Sequence, residues 1–321
     1  PPRMRPHCAP IHALDAPIRY PKGAMMLSKD DTLKNLLTHL ELERAEASQH
    51  VGDEFFIGHS PPAGNGRIFG GLVFAQAMRA AQTTAPDRGV HSAHSYFLRP
   101  GNPDLPIEYA VDRIRDGRSF TTRRVVAYQG DQAIFNLSIS FQVLEEVPGR
   151  QIDIEIPDEP SGEAYEDGIV RAMAKQGITF TREQLGFGAI EIRVEGGLSM
   201  NDGGGREPEM RAWFKSRGSL PDDQGLHSAL LAYVSDQTIV VAAQHPVEWG
   251  IMDKHTQSAS LDHAIWFHDD FRIDDWIYAV HDSPVLKHSR ALGRVLFYAR
   301  DGRLVALRAA RGDRARLPLL P

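Results

Sequence analysis

Cysteine is almost missing from this sequence: Cys8 is the only one among 321 residues. A disulfide within the chain needs two thiols, and a cysteine-rich metal site needs more, so neither can organise the fold. Such a chain suits a reducing compartment, and a cytoplasmic location is expected. Also missing is any uninterrupted apolar run of roughly 18 residues, the length that spans a bilayer. The basic start PPRMRPH leads into no apolar core of the kind a secretory signal carries. Neither sign of charge dominates, since 36 Lys and Arg stand against 42 Asp and Glu for a formal net charge of −6. That balance gives no electrostatic reason to expect nucleic acid as a partner. The 14 histidines lack a metal spacing such as H-E-x-x-H, and in HSAH strand alternation puts His91 and His94 on opposite faces. No metal and no other cofactor is expected. DGGGREPEM is glycine-rich but has neither the lysine nor the helix of a phosphate loop, and is expected to be a surface loop.

What is present is an ordinary globular composition, 42% hydrophobic and 24% charged, in a chain long enough for two domains with a core in each. Residues 1–28 carry scattered prolines without periodicity and read as a floppy leader or a start-site artefact. TLKNLLTHLELERAE predicts a short amphipathic helix, EFFIGHSPPAGNGRIFGG a strand and a turn-rich loop, and LVFAQAMRAAQTTA a mostly buried helix. Strand-like runs then follow, separated by Pro-Gly-Asn-Pro, Asp-Gly and Gly-Asp turns, up to residue 146. An acidic, proline-bearing stretch predicts a linker with a short helix over residues 147–185. From residue 186 to 321 the order repeats: a strand at IEIRVE, a helix at LHSALLAYVSDQ, strands at SLDHAIWFH and DWIYAVHDSPVL, and an Asp-Gly hairpin. His94-Ser-Tyr-Phe is echoed by His263-Ala-Ile-Trp, and Tyr128-Gln-Gly-Asp by Tyr298-Ala-Arg-Asp, so one α+β unit is used twice.

SASLDHAIWFHDDF places Asp262 beside His263. Alternation sends neighbours on a strand to opposite faces, so the two cannot converge as an acid–base pair. His263 shares a face with Ala259, Leu261, Ile265 and Phe267 and reads as a core histidine, the more so because it matches His94. Ser260 falls on the smaller, more polar face and stays a candidate. Asp236, at the end of the HSALLAYVSD helix, reads from the residues alone as a helix-end aspartate.

The segments RIFGGLVFAQAMRAA, VHSAHSYFLRPGNPDLPIEYAVDRIRDGRSFTTRRVVAYQ, AIFNLSISFQ, GSLPDDQGLHSALLAYVSDQ and SLDHAIWFH resemble the TesB-like, or type II, acyl-CoA thioesterases. The resemblance covers most of residues 35–310 and implies a double hotdog: a hotdog over 29–146 and another over 186–321, each wrapping an antiparallel sheet around a long helix. It also implies hydrolysis of fatty acyl-CoA to free acid and CoA, by water that an aspartate, a hydroxyl residue and a glutamine bind and orient. Asp236 falls on the aspartate position and Ser260 on the hydroxyl position. Where the family reads like LVAS-x-x-QEG this chain reads LVALRAARG, so Ala310 stands in place of the glutamine. Ala310 makes weakened hydrolysis, or an acyl-CoA binding or regulatory protein, the alternative. Gly70 and Gly71, before the first buried helix, are possible oxyanion or substrate contacts, with Leu226 and His227 as their second-half counterparts. Gln257, Gln237 and Arg311 are the next polar side chains to consider. The expected partners are acyl-CoA and further copies of the same chain.

Overall fold

The structure is a computed structural model that describes residues 29–316 apart from 63–65, 146, 176, 180, 183–187, 200–204, 239–240 and 248–255. The leader assigned to residues 1–28 lies outside the described residues. The first half runs α1 (Lys29–Leu40), β1 (Glu43–Ala45), β2 (Glu54–Gly58), α2 (Gly70–Thr83), β3 (Gly89–Phe97), β4 (Ile107–Asp116), β5 (Phe120–Gln129) and β6 (Gln132–Gln142). Between the halves lie β7 (Glu163–Ala164) and α3 (Tyr165–Ala174). The second half runs β8 (Ile190–Val194), β9 (Glu209–Ser216), α4 (Gln224–Thr238), a 3₁₀ turn at Ala242–Gln244, β10 (Thr256–Ser260), β11 (Asp262–Phe267), β12 (Ile277–Lys287), β13 (Arg290–Ala299) and β14 (Leu304–Arg316).

The strands form one sheet in the order β1-β2-β4-β5-β6-β3-β11-β14-β13-β12-β9-β8-β7, with β10 also on β14. All pairings are antiparallel, and β3 against β11 joins the halves at the centre. Period-two sequences build these strands: in β11, His263, Ile265 and Phe267 are buried while Asp262, Ala264 and Trp266 are partly exposed. The β13–β14 hairpin closes at Asp301-Gly302, where Gly302 takes φ +90, a left-handed conformation that a side chain would oppose.

Inside the curl of the sheet, α2 and α4 pack against each other. α2 buries Leu72, Val73, Phe74, Met78 and a set of alanines, so it is covered nearly all round. Each fully buried large apolar side chain contributes about 1.5–3 kcal/mol, and the alanines let the two helices come close. Each half thus wraps a sheet around one long helix, which is the double hotdog. The segment Gln224–Gln244 is long and apolar enough to cross a membrane, yet 81% of that window is buried inside the molecule, as befits a core helix.

The helix expected over TLKNLLTHLELERAE stops at Leu40, and Glu43–Ala45 instead pairs with β2 as a strand; three further local features differ from the expectations. DGGGREPEM ends inside a strand, since β9 starts at Glu209 and buries Met210, Ala212 and Phe214 on one face and Trp213 on the other. Trp213 packs with Tyr278 and Tyr298, and the acidic stretch between the halves covers them with Ile154 and Ile156. SASLDHAIWF is not one straight strand. Ser260 pairs with Gly312 and Ala264 with Ala309, so the register slips by one residue around Leu261. That bulge returns Ser260 to the inner face, where strict alternation had not put it.

The third is the histidine echo, which is out of register by one. Bulges after Asp112 and Asp282, and the ion pairs Asp112–Arg124 and Asp282–Arg294, fix the true correspondence. Along it, Val125 pairs with Leu137 and Leu137 with Ser95, as Val295 pairs with Arg308 and Arg308 with Ile265. His263 therefore corresponds to Ala93. His94 is exposed and rests edge-on against Trp266. A buried histidine at this place belongs to the second half alone.

Candidate active site

Asp236 sits in the last turn of α4, which aims its side chain across to the first turn of α2. A carboxylate at a helix C-terminus is disfavoured by the helix dipole, so it needs donors from elsewhere. The fold supplies three. Ser260 at the end of β10 donates Oγ–H to Asp236 Oδ1 at 2.9 Å. Arg308 of β14 places Nη2 at 3.3 Å from the same oxygen. The backbone N–H of Gly71, at the start of α2, is the third. The aspartate side chain is only 4% exposed. Burial raises its pKa above the ordinary carboxylate value, opposed by Arg308, Ser260 and the Gly71 N–H.

Gly70 and Gly71 are glycines because the helices touch there. A Cβ on Gly71 would lie 2.3 Å from the Tyr233 carbonyl oxygen, and one on Gly70 would lie 2.9 Å from Asp236 Oδ2 and 2.8 Å from the Phe97 ring. Oδ2 thus faces the opening of α2. Phe97 and Phe69 wall this corner, with Phe69 edge-on to Tyr233 at 5.2 Å.

Sequence reasoning missed Arg308. Its side chain is fully buried, with Nε donating to His263 Nε2 at 2.7 Å and Nη1 to the Ser235 carbonyl at 2.5 Å. The signal was present: in LVALRAARG, Arg308 shares the inner-face parity of Ala306 and Ala310, and those alanines leave room for it. Burial pulls its guanidinium down to about 9, which leaves it a cation at neutral pH. Burial and the same arginine hold His263 well below its usual value, so the ring is neutral. Besides the Nε contact at Nε2, Arg308 Nη2 lies 3.2 Å from His263 Nδ1, and Nδ1 lies 3.8 Å from Asp236 Oδ1. Phe74 packs edge-on against the ring at 4.4 Å.

The remaining candidates lie away from this cluster or behind it. Ala310 is buried on the inner face of β14 and brings no polar atom. Asp262 turns outward, where its Oδ1 takes the Arg311 N–H at 2.8 Å and its Oδ2 lies 3.5 Å from Arg311 Nε. The Gln237 side chain bonds Tyr233 on its own helix. The Gln257 side chain lies outside the described residues. At the other end of α4 the Leu226 N–H goes to Asp223 Oδ1 at 3.0 Å, and His227 Nδ1 accepts from the Ile273 N–H at 3.3 Å. That helix start is already capped. Among the described residues, no three His, Cys, Asp or Glu side chains converge as a metal site.

The arrangement sets a buried carboxylate beside the N-terminus of a helix, the two groups that general-base attack of water on an acyl carbon calls for. The comparisons agree with that chemistry. A family model described as acyl-CoA thioesterase N-terminal domain matches residues 59–142, and one described as acyl-CoA thioesterase matches residues 183–313. Acyl-CoA thioesterase 2 of Haemophilus influenzae is 35% identical over 282 residues, covering 86% of this chain and 95% of the relative. The chain belongs to the acyl-CoA thioesterase family. Acyl-coenzyme A thioesterase 8 of Mus musculus is 32% identical over 284 residues, 85% of this chain and 86% of the relative. Among solved structures, the acyl-CoA thioesterase II TesB2 from Mycobacterium marinum superposes with a TM-score of 0.68 at 30% identity, covering 89% of this chain and 99% of that one. The type II resemblance and the double hotdog therefore stand.

Proposed function

We propose that this thioesterase hydrolyses fatty acyl-CoA with Asp236 as general base and Ser260 as the group that orients it and the water. The observation that carries the reading is the 2.9 Å bond from Ser260 to a buried Asp236 whose second oxygen faces the start of α2. Asp236 takes a proton from water as the water oxygen bonds to the thioester carbonyl carbon. The tetrahedral intermediate then collapses, the C–S bond breaks, and the proton passes to the sulfur, leaving free acid and CoA thiol. Negative charge on the former carbonyl oxygen is met at the opening of α2, where Gly70 contributes the absence of a side chain and its own N–H. Gly71 instead spends its N–H on Asp236, so it positions the base.

No acyl–serine forms in this scheme. Ser260 lacks a G-x-S-x-G elbow, and its hydroxyl donates a hydrogen bond that holds the carboxylate in place. With carboxylate, hydroxyl and helix start assembled, the binding-only alternative raised by Ala310 has less support than hydrolysis. Release of CoA thiol, followed with a thiol reagent over acyl chains of increasing length, tests the reading. Turnover for at least one length is expected, and a rate equal to the blank at every length would overturn it. A cytoplasmic location belongs to the same proposal, and its check is activity in the soluble fraction of lysed cells rather than the membrane pellet.

A further inference from the structure

We propose that Arg308 is a positioning residue that keeps Asp236 an ionised, fixed carboxylate. The inference rests on the reading of Asp236 as the base. An arginine taken wholly out of water destabilises the fold unless its charge and donors are matched. Here they are matched by an acid, a carbonyl and a neutral ring: Asp236 Oδ1 at 3.3 Å, Ser235 O at 2.5 Å and His263 Nε2 at 2.7 Å. The guanidinium ties together the end of α4 and the inner faces of β11 and β14 at the point where the carboxylate must be held.

The internal repeat supplies an independent comparison. Gly71-Leu72 and Gly225-Leu226 open α2 and α4, and the residue of α2 that falls at the place of Asp236 is Gln82. The contacts agree, because Gly71 backs onto Asp236 and its helix while Gly225 backs onto Arg79 and Gln82, whose Nε2 donates to the Gly225 carbonyl at 3.1 Å. In the sheet register Leu137 stands where Arg308 does, and Ala93 where His263 does. The first half thus has an amide, a leucine and an alanine where the second has a carboxylate, an arginine and a histidine. The acid and its cation occur together, on one side of the molecule.

The groups facing Asp236 are few. Ser260 comes from β10, neutral His263 from β11, Arg308 from β14, the Gly71 N–H from α2, and Tyr233 lies one turn back on α4. Arg308 is the one cation among them, and Asp262 acts on it from the outer face. Burial opposes the carboxylate, so removing the cation must favour the protonated acid.

The test is a pH titration of wild type, Arg308→Gln and Arg308→Lys, read in two ways. One is the 13C carboxyl signal of Asp236 in substrate-free protein, and the other is kcat/KM for acyl-CoA hydrolysis. Arg308→Gln is expected to raise the Asp236 midpoint by about one pH unit or more, with the acid limb of kcat/KM moving by the same amount. Arg308→Lys, which keeps a charge, should return both toward wild type. An Asp236 midpoint unmoved by Arg308→Gln would overturn the proposal, as would a rate that falls equally at every pH. The carboxyl titration needs no turnover, so it judges Arg308 even if the wild type hydrolyses nothing, an outcome that would instead sink the reading of the reaction. If Arg308→Gln does not fold, the double variant Arg308→Gln with Asp236→Asn, which removes both buried charges, is expected to fold again. A double variant as unfolded as the single one would contradict the pairing.

Discussion

At the residue scale, few polar atoms surround the Asp236 carboxylate. Ser260 gives one of the three donors to Asp236, so Ser260→Ala is expected to lower kcat by about 10–100-fold with KM nearly unchanged, as for one lost oriented dipole. Steady-state kinetics of the purified variant checks it, and an unchanged kcat would remove Ser260 from the mechanism. Ala310 is buried on the inner face of β14 and has no side-chain group that can orient water. Ala310→Gln is expected to raise kcat more than it changes KM, because the added amide would act mainly in the transition state; a fall in kcat would show that the buried space beside Arg308 rejects it. The pH dependence follows from Asp236. Its pKa is raised by burial, and only the carboxylate can take a proton, so kcat/KM should fall as pH drops through a value above the ordinary 3.8. Asp236 and Ser260 were legible only through the family resemblance, since a helix-end aspartate and a strand serine are commonplace alone. Arg308 was legible in principle from strand parity, which marks a charge on a core face. Its partner could not be read, because no spacing in the sequence shows that α4 ends opposite β14.

At the scale of elements, the site exists because α2 begins where α4 ends. Gly71 has no room for a methyl group, which would meet a backbone oxygen of α4 at 2.3 Å. Gly71→Ala must therefore part the helices, at an expected cost of about 1–3 kcal/mol in stability, measured by urea unfolding. Gly70→Ala makes a different prediction: its methyl would press on Asp236 Oδ2 and the flexible Phe97 ring, so activity should fall further than stability does. Equal losses in both would argue that Gly70 is only a packing residue. The long helices and central strands were readable because their apolar periods are strong. The bulge at Leu261 was not, since SASLDHAIWF alternates without a break, and the slip is imposed by pairing with β14. One inserted residue decides whether Ser260 faces Asp236 or the outer side of the sheet, so local pattern and site geometry part company there.

At the scale of the whole molecule, a duplicated fold carries the Asp236–Arg308–His263 cluster in its second half, and the matching places in the first half hold Gln82, Leu137 and Ala93. The repeat was visible in the sequence, but aligning it on histidines erred by one residue and made His263 look like a shared structural feature. The correct register shows that the halves differ just where the cluster lies. The sheet ends in the short strands β1 and β7, three and two residues long, which limits pairing of sheet edges between molecules. Association into homo-oligomers is still expected, through exposed apolar side chains such as Phe120, Val143 and Leu144. Light scattering should give a multiple of the 35.7 kDa chain mass, and a monomer at working concentration would refute that expectation. If one buried carboxylate activates water for the whole protein, removing its charge must stop hydrolysis, and the measurement is CoA release from Asp236→Asn, folded as judged by circular dichroism, on the best acyl-CoA substrate of the wild type. The account predicts a kcat lower by about a thousandfold, within the range for loss of a general base, and a kcat within tenfold of wild type would contradict it.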